Sequence, residues 1–278
     1  MIYLNAEVIS GLGEDTFWTW FKREFPTSSF EQPMCLTEKD IVLRYSTLGF
    51  LDLYPAKTVA LLWELYPEMK EKLASNQWDD KLQKIYQCAK FSTYRTVASH
   101  LAILPYQQYG TVDIIPIGVN TDLFRPIPEK DTLRDKYNLP RNKRIGLWCG
   151  TLHPMKGYSK LLDYAKSHPD VHWIIIWKQK SEAGHMDGAT NFTLVPQEVL
   201  VELMNAADFY LCCGLLSPFF MIEWEAMACN VRMVILDDVK KDFVPSDNPR
   251  EDIFSLGWDR RSVKKKWADY LSRRGIEW

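Results

Sequence analysis

Short apolar runs alternate along the chain with longer segments in which apolar residues recur at helical spacing. In the first part, IYLNAEVI (2–9), DIVLRYS (40–46), KTVALLW (57–63) and TVDIIPI (111–117) read as strands. In the second part, RIGLWCG (144–150), VHWIIIW (171–177), NFTLV (191–195), DFYLCC (208–213) and VRMVIL (231–236) do the same. Helical patterns lie between them. These are FWTWFKREF (17–25), closed by Pro26, and a polar stretch over 66–90, with Asp79 or Asp80 as an N-cap. KGYSKLLDYAKSH (156–168), PQEVLVELMNAA (196–207) and FFMIEWEAMAC (219–229) follow. Strands this short and apolar, separated by helices, predict parallel α/β sheets covered on both faces. GVNTDLFRPIPEK (118–130) is rich in Pro and turn residues and reads as a linker. It divides the chain into a domain over 1–118, a second over 119–258, and a tail over 259–278 whose Val263, Trp267, Tyr270 and Leu271 fall at helical spacing. No internal repeat or low-complexity run is present.

Composition narrows the class. At 278 residues and 46% hydrophobic, the chain has ample apolar surface for packed cores, which excludes an intrinsically disordered protein. The net charge of −2 excludes a global polycation. That small sum hides an uneven distribution, because the last 20 residues carry 7 basic and 3 acidic side chains. Arg260, Arg261, Lys264, Lys265 and Lys266 lie among the tail's apolar positions. They fit either a docking helix with a solvated basic face or a face for an anionic partner such as nucleic acid or lipid. No apolar run reaches the roughly 18 residues of a membrane helix. The start, MIYLNAEVIS, lacks a signal-peptide pattern. The six cysteines, Cys35, Cys88, Cys149, Cys212, Cys213 and Cys229, lie in apolar segments without a CxxC pair. They are expected to be buried free thiols, which places the protein in a reducing cytoplasm, the host's if the chain is viral.

In parallel α/β sheets, ligands bind at the carboxyl ends of strands, in loops that open into helix N-termini. Four loops meet that criterion. Ser10-Gly11-Leu12-Gly13 follows the first strand and reads as a phosphate turn or a plain tight turn; Thr16 breaks the GxGxxG pattern. Cys149 to Gly157 brings Thr151 and then Lys156 to a helix start, where an ammonium and the helix dipole together suit a phosphate. Gly214 to Met221 opens a helix bearing Glu223 and Glu225, and a carboxylate there suits the two hydroxyls of a ribose. Asn5 to Glu7, with Glu64, places polar groups near strand ends. A structural role competes with the functional one at each of these loops. No Walker A sequence is present, and an NAD-type Rossmann enzyme is disfavoured because the glycine fingerprint is incomplete.

Four segments, in this order, resemble the carboxyl-terminal half of a GT-B glycosyltransferase of the retaining family four. They are IPIGVNTDLFRP (115–126), IGLWCGTLHPMKGYSKLLDYAK (145–166), LVPQEVLVELMNAADFYLCC (194–213) and FFMIEWEAMACNVRMVIL (219–236). Over 1–110 only the plan of strand, glycine loop and helix agrees. The resemblance implies two Rossmann-like domains facing across a cleft, with the terminal helix crossing back to the first domain. It implies a nucleotide-sugar co-substrate, a UDP- or GDP-sugar, with no tightly bound cofactor and no metal requirement. Lys156 would contact the donor diphosphate and Glu225 the ribose. The backbone at Phe219, Phe220 and Met221 would face the phosphates, and Val195 would meet the nucleobase. Gly11 and Gly13 would let the first domain close on the phosphates.

The chain also departs from that family's pattern. Ser217 stands where the family carries a Glu eight residues before Glu225, and Thr151 stands where it carries an Arg. An unusual donor sugar, substitution by Lys178 or Arg232, or loss of activity would each account for this. Trp63 stands where the family's first-domain His is sought, and Glu64, Glu14 and Asp15 are the candidate acceptor bases. The basic tail fits a small phage-type transferase acting on hydroxymethylated bases in DNA, with Arg260, Arg261 and Lys264 to Lys266 on phosphates. A glycan, protein or small-molecule acceptor is the alternative. A nucleotide-sugar-binding protein without turnover is the alternative of another class. The oligomeric state is open.

Overall fold

The computed structural model describes residues 1–5, 13–31, 35–49, 51–63, 79–180, 184–214, 220–239, 241–276 and 278, without the side chains of 13–16 and 47. The chain forms two compact units. One comprises Met1–Gly118 with Arg260–Trp278, and the other Val119–Asp259. Among the described residues no helix is long and apolar enough to cross a membrane.

The first unit holds strands β1 (Ile2–Asn5), β2 (Ser28–Ser29), β3 (Ile41–Tyr45), β4 (Lys57–Leu61), β5 (Tyr94–Val97) and β6 (Asp113–Ile114). Among the described residues they form one sheet in the order β2-β1-β3-β4-β5-β6, and every pairing is parallel. Helices α1 (Gly13–Glu24) and α2 (Asp79–Phe91) belong to this unit. Its core is aromatic. Phe17, Trp18 and Phe21 from α1, and Phe25 just after it, meet Trp63 and, from the carboxyl-terminal helix, Trp267 and Tyr270. Phe21 stacks on Phe25 at 4.4 Å, and Trp267 meets Phe21 edge-on at 5.3 Å. Trp63 packs against Phe17 at 4.6 Å and is therefore a core side chain.

The second unit holds β7 (Arg144–Gly150), β8 (Val171–Trp177), β9 (Thr190–Thr193), β10 (Phe209–Cys212) and β11 (Arg232–Ile235), again all parallel, in the order β11-β10-β7-β8-β9. Its helices are α3 (Lys130–Lys136), α4 (Tyr158–Ser167), α5 (Gln197–Ala206), α6 (Met221–Ala228) and α7 (Pro249–Ser255). The central strands β7 and β8 are buried along almost their whole length, as expected of a parallel sheet covered on both faces. Trp148, Trp173, Ile175, Trp177 and Phe209 share one face with Leu161 of α4. Strand alternation sends Cys149 and Ile176 to the other face.

Several elements depart from expectation. β5 was not anticipated because its buried centre, Arg95 and Thr96, is polar. Arg95 bonds the Ala89 carbonyl and, at 3.1 Å, the Lys90 carbonyl, so it satisfies the end of α2 from inside the unit. α3 begins where the Pro-rich linker pattern ends. It is held by Arg134, whose guanidinium donates to Asp208 at 2.8 Å. α7 and the two-residue β2 were also not anticipated. Cys35 is exposed, which corrects the expectation of burial at that position; the other five cysteines are buried, and all six are free thiols.

α8 (Arg260–Ser272) buries Val263, Trp267, Tyr270 and Leu271 in the core of the first unit. Lys264 of α8 and Arg274 just after it are engaged in local ion pairs. Lys264 pairs with Glu24 at 2.9 Å. Arg274 pairs with Asp113 at 2.6 Å and lies 3.6 Å from the Tyr270 ring centre. Arg260 lies 5.8 Å from the Trp20 ring, and Lys266 lines a shallow depression with Asp113, Asp269 and Arg273. Arg261 and Lys265 are exposed.

Candidate functional site

Topology places the site before any side chain is considered. From β7 the chain moves to β8 and β9 on one side, then returns to β10 on the other. The switch point therefore falls between β7 and β10, the place where sheets of this kind generally bind ligands.

The loop leaving β7 turns sharply there. Thr151 is buried, and its hydroxyl accepts from the His153 N–H at 3.3 Å. His153 Nδ1 accepts from Met155 N–H at 3.3 Å and opens a single 3-10 turn, Pro154–Lys156. Lys156 therefore lies in this turn, and α4 starts two residues later at Tyr158, not at 156. Gly157 makes the junction. Its φ is +72°, and a Cβ there would lie 2.0 Å from the Cys213 carbonyl oxygen, so only glycine lets the turn reach the end of β10. The Lys156 carbonyl accepts from Trp148 Nε1 at 3.1 Å, which fixes the turn against β7.

From this turn the Lys156 ammonium reaches the start of α6 and sits 3.6 Å from the centre of the Phe220 ring. That ring covers Gly214, where a Cβ would fall 2.3 Å from it. The Phe220 N–H donates to Glu223 Oε2 at 2.8 Å, so it is already engaged, and the ring is what Phe220 presents to Lys156. Glu223 also pairs with Lys241 at 2.6 Å, and both side chains are buried. Met221 and Ile222 begin α6, where N–H groups have no intrahelical carbonyl.

Glu225 is buried one turn further along α6. Its charge acts on Cys149 and on Lys178, the residue that leaves β8. Burial pushes the Cys149 thiol up to about 11, opposed by Lys178 and Lys156. Burial works against the Lys178 ammonium, but Cys149 and Glu225 outweigh it and raise its pKa, so it stays protonated. Val195 is half-buried beyond β9, and its neighbour Leu194 donates its N–H to the Trp177 carbonyl at 2.9 Å. That bond sets the loop beside Lys178.

The structure thus sets Thr151, Lys156, Lys178, Phe220, Met221 and Glu225 near the carboxyl ends of β7, β8 and β10 in the second unit. Arg232 does not join them. It pairs with Phe209, the first residue of β10, so it lies at the amino end of the sheet. Gly13 begins α1 in the first unit. Gly11, Glu64, Ser217 and Phe219, and the side chains of Glu14 and Asp15, lie outside the described residues.

The two units have the GT-B glycosyltransferase fold. Sucrose-phosphate synthase from Thermosynechococcus elongatus superposes with a TM-score of 0.70 at 17% identity, covering 94% of this chain and 79% of that one. Anabaena HepE in complex with UDP-glucose gives 0.69 at 14% identity over 98% of this chain and 99% of its own. WaaG, a glycosyltransferase of lipopolysaccharide biosynthesis, gives 0.64 at 13% identity over 97% and 93%. Among curated proteins, the chain is similar to D-inositol 3-phosphate glycosyltransferase from Mycolicibacterium smegmatis, 26% identical over 151 residues, 49% of this chain. The enzyme of the same name from Segniliparus rotundus is 23% identical over 154 residues. The matches span about a third of these relatives' own length, 35% and 34%. No protein-family model matches the chain.

Proposed function

We propose that the protein transfers a sugar from a nucleotide-sugar donor to a hydroxyl acceptor. The observation that carries this reading is the Lys156 ammonium held at the start of α6, at the β7–β10 switch point, with Glu225 buried on the same helix. In such a reaction the bond between the anomeric carbon and the diphosphate oxygen breaks, and the nucleoside diphosphate leaves with the electron pair. Positive charge placed beforehand at that oxygen lowers the barrier, because negative charge grows there in the transition state. Lys156 and the N–H groups of Met221 and Ile222 supply it. Glu225 accepts the two ribose hydroxyls, and the Val195 loop borders the nucleobase. These groups suffice for a diphosphate, so activity should survive EDTA. The resemblance of the matched segments and the HepE complex with UDP-glucose both support a nucleotide-sugar donor.

The same reading includes retention of anomeric configuration, the acceptor oxygen attacking from the face the diphosphate leaves and losing its proton as the new bond forms. A product linkage assigned by NMR as inverted would overturn that part. For the acceptor, a glycan or small-molecule hydroxyl agrees best with the local ion pairing of α8. A DNA base is the second reading, favoured by the exposed Arg261 and Lys265. Charge reversal at Lys264, Lys265 and Lys266 decides between them, since salt-insensitive, unchanged activity on DNA removes the phosphate-contact role. The primary test is a thermal-shift panel of UDP-, GDP-, ADP- and CMP-sugars, followed by release of the nucleotide. Stabilisation by one donor with turnover is expected; stabilisation without turnover on any acceptor would indicate a binding protein.

A further inference from the structure

We propose that Lys178 is a second cationic contact for the donor diphosphate, so that two lysines from neighbouring strands grip it. The inference rests on the nucleotide-sugar reading above and deepens it.

β7 and β8 pair in parallel up to Gly150 and Trp177, and the Lys178 N–H continues the ladder by donating to the Gly150 carbonyl at 2.9 Å. Lys178 and Thr151 therefore leave their strands level with each other. Alternation places Thr151 on the same face as Cys149, two residues before it, and Lys178 on the same face as Ile176. That face is opposite the Trp148 and Trp177 cluster. Thr151 and Lys178 thus emerge side by side at the carboxyl edge of the sheet, and the long cationic side chain belongs to β8.

The surroundings of Lys178 give its charge a purpose. It is half-buried, and among the described residues no hydrogen bond or salt bridge engages its ammonium. The Glu225 carboxylate and the Cys149 thiol act on it electrostatically, and Lys156 acts on the same thiol. Glu225 offsets the burial of this charge without a direct contact, which leaves the ammonium's N–H donors for an anion. With Lys156, the helix start and Lys178 set around Glu225, the site carries more positive than negative charge. A diphosphate, with charge on both phosphoryl groups, matches two separated ammoniums better than a monophosphate does. Thr151 carries only a neutral hydroxyl, and Lys178 supplies the cation from one strand over.

The experiment is calorimetric titration of wild type, Lys178→Met and Lys178→Arg with UDP, GDP and ADP, at two salt concentrations. The diphosphate that binds is then compared with its monophosphate. Losing a charge-assisted contact should weaken diphosphate binding by roughly tenfold to a hundredfold. The monophosphate should lose less, the salt dependence should flatten, and Lys178→Arg should recover most of the affinity. Equal diphosphate affinity in wild type and Lys178→Met overturns the proposal while leaving the donor reading intact. An Arg variant as weak as the Met variant also overturns it. A wild type that binds none of the three overturns the donor reading itself. Should the Met variant melt early, lysine footprinting of the wild type replaces it. Lys178 should be shielded from acetylation by the bound diphosphate, and undiminished labelling would count against the contact.

Discussion

The two sheets share a plan and treat its central feature differently. Each has a switch point, between β1 and β3 in the first unit and between β7 and β10 in the second. In the first unit the strand ends are tied to each other. Arg44 at the end of β3 donates to Asn5 Oδ1 at the end of β1, at 2.6 Å, to the Leu48 carbonyl at 2.7 Å and to the Gly49 carbonyl. In the second unit the ends carry Lys156 in contact with a ring face and Lys178, which among the described residues forms no salt bridge and is acted on by Glu225 without direct contact. A switch point in a parallel sheet is where a ligand generally binds. Whether it receives a ligand depends on whether the protein's own polar groups satisfy one another there, since a cation saturated by fixed partners has nothing left for an anion. Asn5, a candidate in the sequence, belongs to the saturated case.

The cores differ as well, and the largest expected effects test that difference. Lys241→Met should cost about 3–5 kcal/mol, because it leaves the buried Glu223 carboxylate without its partner at the start of α6. Denaturant unfolding measures the loss, and nucleotide binding should fall with it because the same helix start frames the site. Trp267→Ala should cost a similar amount, about 3–5 kcal/mol, through a cavity in the aromatic core of the first unit. There the affinity of the folded fraction for nucleotide should be unchanged; a parallel loss of affinity would break the division of labour. Lys156→Ala should lower turnover by roughly 10²-fold with little change in melting temperature, and wild-type turnover would remove it from the site.

Acid should act on the second unit through Asp208. Burial raises its pKa, but the Ile145 N–H, Lys130 and Arg134 outweigh this and hold it below the usual carboxylate range. A group depressed in the folded state contributes stability that is fully present above its unfolded value of about 3.9 and disappears as pH falls through the folded value. Melting temperature should therefore drop below about pH 4, and Asp208→Asn should flatten that drop while costing about 1–3 kcal/mol at neutral pH. The smallest effect is expected at Lys264→Ala, under about 1 kcal/mol, because its pair with Glu24 is partly exposed.

Much of the fold was readable from the pattern of apolar residues. β7, β8 and α5 fall where continuous apolar runs and a Pro-led helical period predict them, because burial on both faces leaves no polar positions to blur the signal. β5 and α3 were not readable. Their decisive residues, Arg95 and Arg134, are buried charged side chains, Arg134 held by Asp208 far away in sequence and Arg95 by backbone carbonyls at the end of α2, and neither arrangement shows in an apolar pattern. The helical pattern begins at Lys156 but α4 begins at Tyr158, because the left-handed turn at Gly157 depends on contact with Cys213, which no local pattern encodes.

The candidate site divides along the same line. The order of strand, turn and helix pointed to Lys156 and to a helix bearing Glu223 and Glu225, and the family resemblance chose Glu225 between the two carboxylates. It named Lys178 and Arg232 as equal substitutes for a missing cation. Only the parallel register separated them, setting Lys178 beside Thr151 at the carboxyl edge and Arg232 at the amino edge. Periodicity is a local property, so a single chain displays it. Which strand ends meet is decided by sheet order and crossover, and these exist only once distant segments have packed.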